Sequence, residues 1–291
     1  MSIVPANTQS LRLRDGRQLA FVEYGDPSGK PVFFIQGTPS SRLLHPDESI
    51  TRELGVRLIV FDRPGFGLSD YQPQRTLMDF PNDLAELADA RGIERFAMVG
   101  ISGGGPYTAA TAYALPKRVT MAALVSAGGP ADAPGAFEGM TPIRHIGFYI
   151  ARYIPALLIP LLWLTNNPQR NSQKFFDQYT AHNPPSDQAL FAQPDFRAMM
   201  IANYTEATRR GLNGFARELW IVARPWGFRL EDIRVPVCIW HGDADNSTPI
   251  SMARFMASKI PNCRATYLPD EGHLFLFKRW REILGALIGG L

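Results

Sequence analysis

Ser102 has the clearest chemical potential in this sequence, because it lies at the centre of the run Gly-Ile-Ser-Gly-Gly at 100–104. The apolar residues 96–101 predict a strand before it, and the small residues 107–115 predict a helix after it. A serine on a tight turn between strand and helix exposes its hydroxyl, and the helix N-terminus favours negative charge that develops beside it. The pattern predicts a nucleophile for carbonyl carbon. A phosphate-binding turn is the weaker alternative, since neither Gly-x-x-x-x-Gly-Lys nor Gly-x-Gly-x-x-Gly occurs.

A nucleophilic serine needs partners, and candidate partners follow later predicted strands. A base must take the hydroxyl proton, and a carboxylate must orient that base and stabilise its charged form. His273 follows the last predicted strand, and Asp243 and Asp245 follow the strand before it. Asp132, which follows an earlier strand, is a third carboxylate candidate. Serine, aspartate, histidine is the chain order expected where an α/β sheet carries these residues.

The apolar pattern predicts the sheet that must bring these residues together. The fully apolar run at 31–35 is typical of a strand covered on both faces, and mostly apolar runs at 56–61, 96–101, 119–125, 235–240 and 265–268 predict further strands. Two shorter strands are predicted at 11–14 and 18–24. Helices are predicted at 47–54, 80–91, 107–115, 251–260 and 273–288. The fold class is therefore α/β, with a mostly parallel, doubly wound sheet that collects reactive residues at the carboxyl ends of its strands.

The strand pattern stops between about 131 and 229, where helix-like stretches alternate with prolines. We therefore predict a core formed by residues 1–130 and 230–291, with a helical cap inserted at 131–229. No internal repeat or low-complexity tract interrupts either part.

Four motifs together resemble the α/β-hydrolase superfamily, in its branch with a serine nucleophile and a helical cap. They are the serine run at 100–104, the run Phe-Asp-Arg-Pro-Gly-Phe-Gly-Leu-Ser at 61–69, the Gly-x-x-Asp run that ends at Pro249, and Gly272-His273. The resemblance covers nearly all of the predicted core and none of the predicted cap.

The resemblance assigns roles to the candidate residues. It implies that Ser102 is the nucleophile and His273 the general base. It implies that Asp245 is the acid, because Asp245 matches the aspartate of the family's Gly-x-x-Asp motif. Asp243 stays the second candidate for this role and Asp132 the third, since the conformation of the loop is not fixed by its sequence.

The family's oxyanion hole uses two backbone N–H groups, and the resemblance implies which ones they are here. The first belongs to Gly103, directly after the serine, and we assign the second to Thr38 in the loop after the strand at 31–35. In this loop Gln36 replaces a histidine that is usual in the family, and a glutamine amide cannot hydrogen-bond as an imidazole would. Gln36 and Gly37 are candidate substrate contacts. Arg63, in the 61–69 run, is expected to act as scaffold.

Composition excludes several classes of function. The chain has 291 residues, of which 45% are hydrophobic and 20% charged, as in ordinary globular proteins. The net charge is +3 with scattered basic residues, so no nucleic-acid partner is expected. The two cysteines, Cys238 and Cys263, have no metal-ligand spacing and predict a reducing compartment, the cytoplasm. The predicted chemistry needs neither metal nor organic cofactor, and the sequence specifies no oligomeric state.

Two apolar or terminal segments bear on location. Residues 141–164 are strongly apolar, but Arg144, Arg152 and two prolines interrupt them. Since a membrane span needs about 20 mostly uncharged residues, we predict amphipathic helices and no stable span. These helices could still lie at a lipid surface, as in a peripheral lipase. Residues 1–10 lack the basic and apolar regions of a secretory signal.

The main functional prediction is hydrolysis of a small-molecule carboxylic ester through an acyl-serine intermediate. The aromatic cap suggests a hydrophobic acyl or aryl pocket, for which Phe148, Trp163 and Trp220 are candidate contacts. The same residues could instead cleave a C–C bond, an amide or a thioester, or catalyse perhydrolysis. An aminopeptidase would need cap carboxylates for the substrate amine, and Glu206 and Glu218 are available. A non-catalytic ligand-binding protein is the alternative from another class.

Overall fold

One eight-stranded sheet forms the centre of the molecule, in a computed structural model that describes residues 7–165 and 167–289, without the side chain of Tyr179. The strands are β1 (Gln9–Arg12), β2 (Gln18–Gly25), β3 (Lys30–Ile35), β4 (Val56–Phe61), β5 (Phe96–Ile101), β6 (Val119–Val125), β7 (Val237–Gly242) and β8 (Cys263–Leu268). Their order is β1-β2-β4-β3-β5-β6-β7-β8. The β1–β2 and β2–β4 pairs are antiparallel, and β3 to β8 are parallel. The predicted mostly parallel α/β sheet is confirmed.

The helices alternate with the strands and also fill a long insertion between β6 and β7. They are α1 (Glu48–Glu53), α2 (Phe80–Ala90), α3 (Gly104–Ala114), α4 (Pro142–Tyr153), α5 (Leu158–Thr165), α6 (Ser172–Thr180), α7 (Pro185–Phe191), α8 (Pro194–Ala207), α9 (Asn213–Val222), α10 (Ile250–Lys259) and α11 (Trp280–Ile288). Short 3₁₀ turns occur at Leu77–Asp79, Pro155–Leu157, Leu230–Asp232 and Phe275–Phe277.

Both faces of the sheet are covered, because neighbouring side chains of one strand point to opposite faces. Phe33 of β3 belongs to the same buried cluster as Tyr107 of α3. The next residue, Phe34, belongs to the cluster that contains Trp280 of α11. This explains why the central strands are unbroken apolar runs, as parallel strands with helices on both sides require.

The insertion is helical, as the sequence predicts. In the part of the chain that the structure describes, no strand occurs between β6 and β7, and α4 to α9 occupy this segment. Helices α4 and α5 pack against α9, whereas α6 and α7 pack against α8. We call residues 131–229 the helical insertion; the division into core and cap domains stays a prediction.

The last helix differs from the prediction. The sequence pattern predicts a helix over 273–288, but α11 begins at Trp280. The apolar residues before it form a 3₁₀ turn in which the Phe277 N–H donates to Leu274 O at 3.1 Å. Burial of Leu274, Phe275 and Leu276 accounts for their apolar pattern without an α-helix. His273 therefore lies in a loop and not at the start of a helix.

No helix within residues 7–165 or 167–289 is long and apolar enough to cross a membrane. The prediction about a secretory signal concerns residues 1–10, of which 1–6 lie outside the described residues.

Candidate active site

Ser102 occupies the sharp turn between β5 and α3, as its sequence context predicts. Its φ of 57° is positive, a conformation that is uncommon for non-glycine residues and that costs about 1–3 kcal/mol. Neighbouring backbone holds it there. The Ser102 N–H donates to Val125 O (3.2 Å) and Ser126 O (3.1 Å), and the Gly128 N–H donates to Ser102 O at 3.0 Å. The turn is therefore fixed by the end of β6, the next strand of the sheet.

His273 and Asp245 form a buried hydrogen-bonded pair. His273 Nδ1 lies 2.7 Å from Asp245 Oδ2. Burial alone would raise the pKa of Asp245, but the facing His273 and the hydrogen bonds that the carboxylate accepts lower this pKa to about 2. Because an ionised carboxylate only accepts hydrogen bonds, the proton lies on Nδ1 and Nε2 is left to act as a base.

The loop after β7 fixes this carboxylate. Asp245 Oδ1 accepts from the N–H groups of Ser247 (2.8 Å) and Thr248 (3.0 Å), and Oδ2 accepts from Thr248 Oγ1 at 2.8 Å. His241 Nε2 donates to Thr248 O at 2.6 Å and so supports this loop. Burial lowers the pKa of His241 and keeps its imidazole neutral.

The other two carboxylate candidates lie elsewhere. Asp243 is exposed and its Oδ1 accepts the N–H of Asp270 at 2.8 Å, so it caps a loop. Asp132 is exposed. Asp245 is the candidate that contacts His273.

Ser102 and His273 line one cavity of about 40 Å³. Among the described residues no hydrogen bond of Ser102 Oγ is found with a side chain. Such contacts are often long before substrate binds. Gly37 also lines this cavity, and a Cβ on Gly37 would lie 3.1 Å from Ser102 Cβ, so any side chain there would crowd the serine.

The two candidate oxyanion donors lie next to each other. Gly103 is the residue before α3, where the first N–H groups have no intrahelical acceptor. A Cβ on Gly103 would lie 3.4 Å from Thr38 N and 2.3 Å from Thr38 Oγ1. The loop after β3 and the start of α3 therefore lie in close contact at Thr38 and Gly103, next to Ser102.

Gln36, which the sequence predicts as a substrate contact, supports the loop after β3. Its side chain is 2% exposed and does not line the cavity with Ser102. Its Nε2 donates to Ser41 O and to Phe61 O, both at 3.0 Å. The amide therefore ties the loop after β3 to the end of β4, and it supports this loop although it cannot bond as an imidazole would.

A buried ion pair between Arg63 and Glu218 holds the Thr38 loop. Arg63 donates to both Glu218 oxygens at 2.7 Å and to the carbonyl oxygens of Gln36 (2.5 Å) and Gly37 (2.8 Å). Thr38 Oγ1 donates to Glu218 Oε2 at 2.7 Å. Arg75 adds a second cation 3.4 Å from Glu218 Oε1. Arg63 is scaffold, as expected, and α9 of the helical insertion supplies its carboxylate.

We expect Glu218→Gln to lower the free energy of unfolding by about 3–5 kcal/mol, because it leaves two buried arginines without their counter-charge. Burial alone would raise the pKa of Glu218, but Arg63 and Arg75 lower it. The ionised form therefore stabilises the fold at neutral pH, and this stabilisation disappears as pH falls from the usual value of 4.5 through the lower folded value.

Urea unfolding measures this effect, and Glu231→Gln is the matched control. Glu231 is paired at the surface with Lys259 at 3.3 Å, and surface pairs contribute about 0–1 kcal/mol. Equal losses in the two variants would contradict a structural role for the buried pair.

A second carboxylate of the helical insertion holds the His273 loop. Asp187, at the start of α7, is fully buried and accepts the N–H groups of His273 and Leu274, each at 2.9 Å. The preceding residue, Ser186, accepts the Gly272 N–H through Oγ at 2.8 Å. Three successive N–H groups around the candidate base are therefore bound by α7. Burial raises the pKa of Asp187.

Asp187→Asn is expected to lower kcat by about ten- to a hundredfold with a smaller change in KM. The asparagine amide replaces one accepting oxygen with a donor, so one loop N–H loses its partner and the imidazole shifts. Steady-state kinetics measure both constants. The control is Asp177→Asn, which removes an exposed carboxylate paired with Arg197. If the lower activity is explained entirely by a smaller amount of folded protein, and kcat per folded molecule is unchanged, the positioning role is contradicted.

The three aromatic residues predicted as substrate contacts do not line this cavity. Phe148 packs into the buried clusters and Trp220 lies between Arg217 and Arg224. Trp163 is 55% exposed. The large number of aromatic residues in the helical insertion does not show which face of each helix points to the site.

The glutamates considered for amine binding are already paired. Glu206 accepts from Arg42 at 2.7 Å and from Arg209 at 3.1 Å, and Glu218 is held by Arg63. Neither lines the cavity. Within residues 7–165 and 167–289, no group of three or more His, Cys, Asp or Glu side chains forms a metal site.

The sequence analysis missed Asp187 and the pairing of Glu218. An acidic residue at an apolar position of a helix pattern is a signal for such roles, because that position predicts burial and charged side chains are rarely fully buried unless paired. The Ser-Asp pair at 186–187 beginning α7 was another.

Comparison with known proteins gives a consistent result. The sequence model of the alpha/beta hydrolase fold matches residues 30–279. The protein BpoC of Mycobacterium tuberculosis, provisionally named a non-heme bromoperoxidase, is 23% identical over 93% of this chain and 96% of its own.

Two solved structures share the fold. A hydrolase from Pseudomonas aeruginosa superposes with a TM-score of 0.73 and 19% identity, over 98% of this chain and 100% of its own. An enol-lactonase from Burkholderia xenovorans superposes with a TM-score of 0.72 and 17% identity, over 97% and 99% of the two chains.

Proposed function

Because the chain belongs to the alpha/beta hydrolase fold family, we propose that it is a serine hydrolase that cleaves carboxylic esters through an acyl-serine intermediate. The observation that carries the proposal is the buried His273–Asp245 hydrogen bond of 2.7 Å, since His273 also lines the cavity that contains a serine on a strained turn. These are the base, its orienting carboxylate and the nucleophile that acyl transfer requires.

The proposed reaction has two halves. His273 Nε2 takes the Ser102 proton while Oγ attacks the carbonyl carbon, and the Thr38 and Gly103 N–H groups donate to the oxyanion. His273 then protonates the leaving alcohol, and the acyl group remains on Ser102. In the second half, water attacks this acyl group with His273 again as base, and the carboxylic acid is released.

The proposal includes a pH dependence. With a pKa of about 2, Asp245 stays ionised throughout the range above about pH 4. We therefore expect no loss of kcat/KM above about pH 4 that comes from protonation of Asp245.

The cavity favours a short, apolar acyl group. It is lined by Leu44, Phe191 and Met200 among other apolar residues, and its volume is about 40 Å³. A cavity needs roughly 10–15 Å³ to hold one water molecule, so it accommodates a few heavy atoms. The sequence predicts a hydrophobic acyl or aryl pocket, and the cavity volume restricts the acyl group to acetyl size or slightly larger.

A chain-length series with an active-site probe tests the proposal. We expect wild-type protein to hydrolyse 4-nitrophenyl acetate at least about tenfold faster than the decanoate, by kcat/KM. A fluorophosphonate should add its mass to the peptide that contains Ser102. A non-catalytic binding protein would bind esters without acylation, so absence of both turnover and labelling would sink the proposal.

Perhydrolysis is a second candidate function, favoured by the relative provisionally named a bromoperoxidase. Hydrogen peroxide in place of water would attack the acyl-serine and release a peracid, which oxidises bromide to hypobromite and becomes the carboxylic acid. Bromination of monochlorodimedone that requires acetate, peroxide and Ser102 would establish this activity.

The proposed location is the cytoplasm, with a small molecule as the substrate. Cys238 and Cys263 are both free thiols, which agrees with a reducing compartment.

A further inference from the structure

The cavity beside Ser102 has a polar side that cleavage of a simple ester does not use. Besides Thr38, Ser102 and His273, its polar lining residues include Ser40, Arg144, Asn183, Asn203 and Ser247. Among the described residues that line it there is neither Asp nor Glu. An apolar acyl group would make no hydrogen bond with this side.

Two amide atoms of the polar lining are buried without a hydrogen-bond partner within the described residues. Asn203 Oδ1 accepts from the Ser41 N–H (2.8 Å) and Ser40 Oγ (3.0 Å), which fixes its orientation and leaves Nδ2 unpaired. Asn183 Nδ2 donates to Asp187, which leaves Oδ1 unpaired. Since unpaired buried polar atoms destabilise a protein, these atoms point to a polar ligand.

Arg144 determines the charge that suits this ligand. It extends from α4 into the lining, is half-buried, and donates through Nη1 to Ser247 Oγ and to Asn246 Oδ1, the latter at 3.4 Å. Both of these acceptors are neutral. A guanidinium at a partly desolvated wall without lining carboxylates favours an anion, and a carboxylate matches its planar donor geometry.

The position of Arg144 indicates which part of the ester carries the anion. Asn246 and Ser247 directly follow Asp245, whose carboxylate holds His273. His273 is proposed to protonate the leaving alcohol, so the alcohol part of the ester lies on this side of the cavity. Because Arg144 is only half-buried, a group larger than the cavity can extend past it toward solvent.

We propose that Arg144 binds a carboxylate on the alcohol part of the substrate, so that the preferred substrates are short-chain acyl esters of hydroxy acids. The proposal rests on the serine-hydrolase function proposed above and names its substrate class. Asn183 and Asn203 offer one acceptor and one donor to further polar groups of the same substrate.

The test compares 4-acetoxybenzoate with 4-acetoxybenzamide, which have the same acyl group and nearly the same shape. The amide is intrinsically the better leaving group, so a preference for the carboxylate must come from binding. In wild type we expect a higher kcat/KM for the anion than for the amide. In Arg144→Gln we expect the ratio of these two kcat/KM values to be ten- to hundredfold lower than in wild type. Arg144→Lys should keep part of the ratio, and added salt should reduce it.

A matched control and a second substrate pair locate the effect. Arg95→Gln removes an exposed cation directly before β5, at the amino end of this strand and away from the carboxyl end that leads to Ser102, and should leave the ratio unchanged. The pair of 4-nitrophenyl hydrogen succinate and 4-nitrophenyl valerate moves the carboxylate to the acyl part. If Arg144→Gln lost the preference for the anionic ester in this second pair and not in the first, the assignment of the carboxylate to the alcohol part would be overturned.

The outcomes separate the two proposals. If the protein hydrolyses the neutral amide but Arg144→Gln leaves the anion-to-amide ratio of kcat/KM unchanged, the anion site alone is overturned. No turnover of either ester and no fluorophosphonate labelling overturn the serine-hydrolase function, and the anion site with it.

A different observation, on the outer surface, carries a second inference. Nine large apolar side chains of α4, α5 and the turn between them are 43–70% exposed: Ile143, Ile146, Tyr149, Tyr153, Ile154, Leu157, Ile159, Trp163 and Leu164. We call them the apolar face. The first members recur every three or four residues, so they form one stripe on α4. An exposed apolar patch of this extent marks an interaction site.

The charges around the apolar face indicate its partner. From 139 to 176 the sequence contains Arg144, Arg152, Arg170 and Lys174 and no Asp or Glu. Arg152 lies over the ring of Tyr153 at 5.6 Å, and Arg170 over that of Trp163 at 4.7 Å. A second copy docked here would bring like charges together, whereas an anionic lipid surface complements both the cations and the apolar side chains.

The geometry points to docking of the apolar face on an anionic lipid surface, parallel to its plane. We expect the protein to float with phosphatidylcholine vesicles that contain phosphatidylglycerol, less so at high salt, and not with pure phosphatidylcholine vesicles. Ile146→Gln with Trp163→Gln should reduce flotation at least tenfold. The control, Tyr267→Gln, changes an exposed aromatic residue on β8 and should float as wild type.

Absence of flotation, or equal flotation with neutral vesicles, would overturn this inference. So would concentration-dependent dimerisation in sedimentation that the same double variant abolishes, because the face would then join two copies of the chain.

Discussion

Replacing Ser102 with alanine is expected to lower kcat/KM for 4-nitrophenyl acetate by about 10⁴-fold or more and to abolish fluorophosphonate labelling. Without Oγ no acyl-enzyme forms, and the residual rate comes from the oxyanion donors and substrate binding alone. Alanine keeps the backbone hydrogen bonds that hold the turn to the end of β6. We therefore expect the free energy of unfolding to change by less than about 0.5 kcal/mol, so that the loss is chemical.

Ser126→Ala is the matched control for this substitution. Ser126 follows the neighbouring strand β6, is buried, and also has a positive φ, of 44°. Its Oγ has no hydrogen-bond partner within the described residues, and it does not line the cavity with Ser102. We expect near wild-type kinetics. Retained turnover in Ser102→Ala, or an equal loss in Ser126→Ala, would contradict the proposed nucleophile.

The second large effect is expected from Asp245→Asn, which should lower kcat by about 10⁴-fold. Asparagine keeps the shape of the side chain but removes the charge that stabilises the protonated imidazole. Its amide can also donate to Nδ1, which stabilises the tautomer whose Nε2 carries the proton and cannot act as a base. Since the unfavourable step is proton removal from Ser102, kcat should fall far more than KM rises.

Asp243→Asn provides the comparison that separates the two neighbouring aspartates. Asp243 is exposed, and its Oδ1 accepts the Asp270 N–H, a hydrogen bond that an asparagine oxygen can also accept. We expect kcat within about threefold of wild type, as for most surface substitutions. The reverse pattern, a large loss in Asp243→Asn and a small loss in Asp245→Asn, would reassign the acid.

The sheet and the position of the serine were predictable because their signals are local. Unbroken apolar runs require strands covered on both sides, and the run at 100–104 has the residues that a strand–turn–helix junction needs. The predicted start of the last helix, α11, was wrong because the signal there is not local. The apolar residues after His273 are satisfied by burial against distant parts of the chain, and apolar periodicity does not distinguish such burial from a helix.

The contacts that support the site were not predictable, because each joins residues far apart in the sequence. Glu218 meets Arg63 across 155 positions, and Asp187 meets the N–H of His273 across 86. The sequence shows that these carboxylates exist, but the same letters suit a solvated surface. For this reason Glu218 was considered for amine binding and Trp163 for substrate contact, whereas the fold buries one in an ion pair and exposes the other.

By itself the sequence determined the parallel sheet, the helical nature of the insertion and the serine turn, since hydrophobic periodicity and turn chemistry act between neighbours in the chain. The tertiary structure alone decided that Asp245 and not Asp243 contacts His273, that α7 and α9 hold the two loops around Ser102, and which side chains line its cavity. These choices depend on how helices and loops pack against one another in space, and packing sets the distance between side chains independently of their separation along the chain.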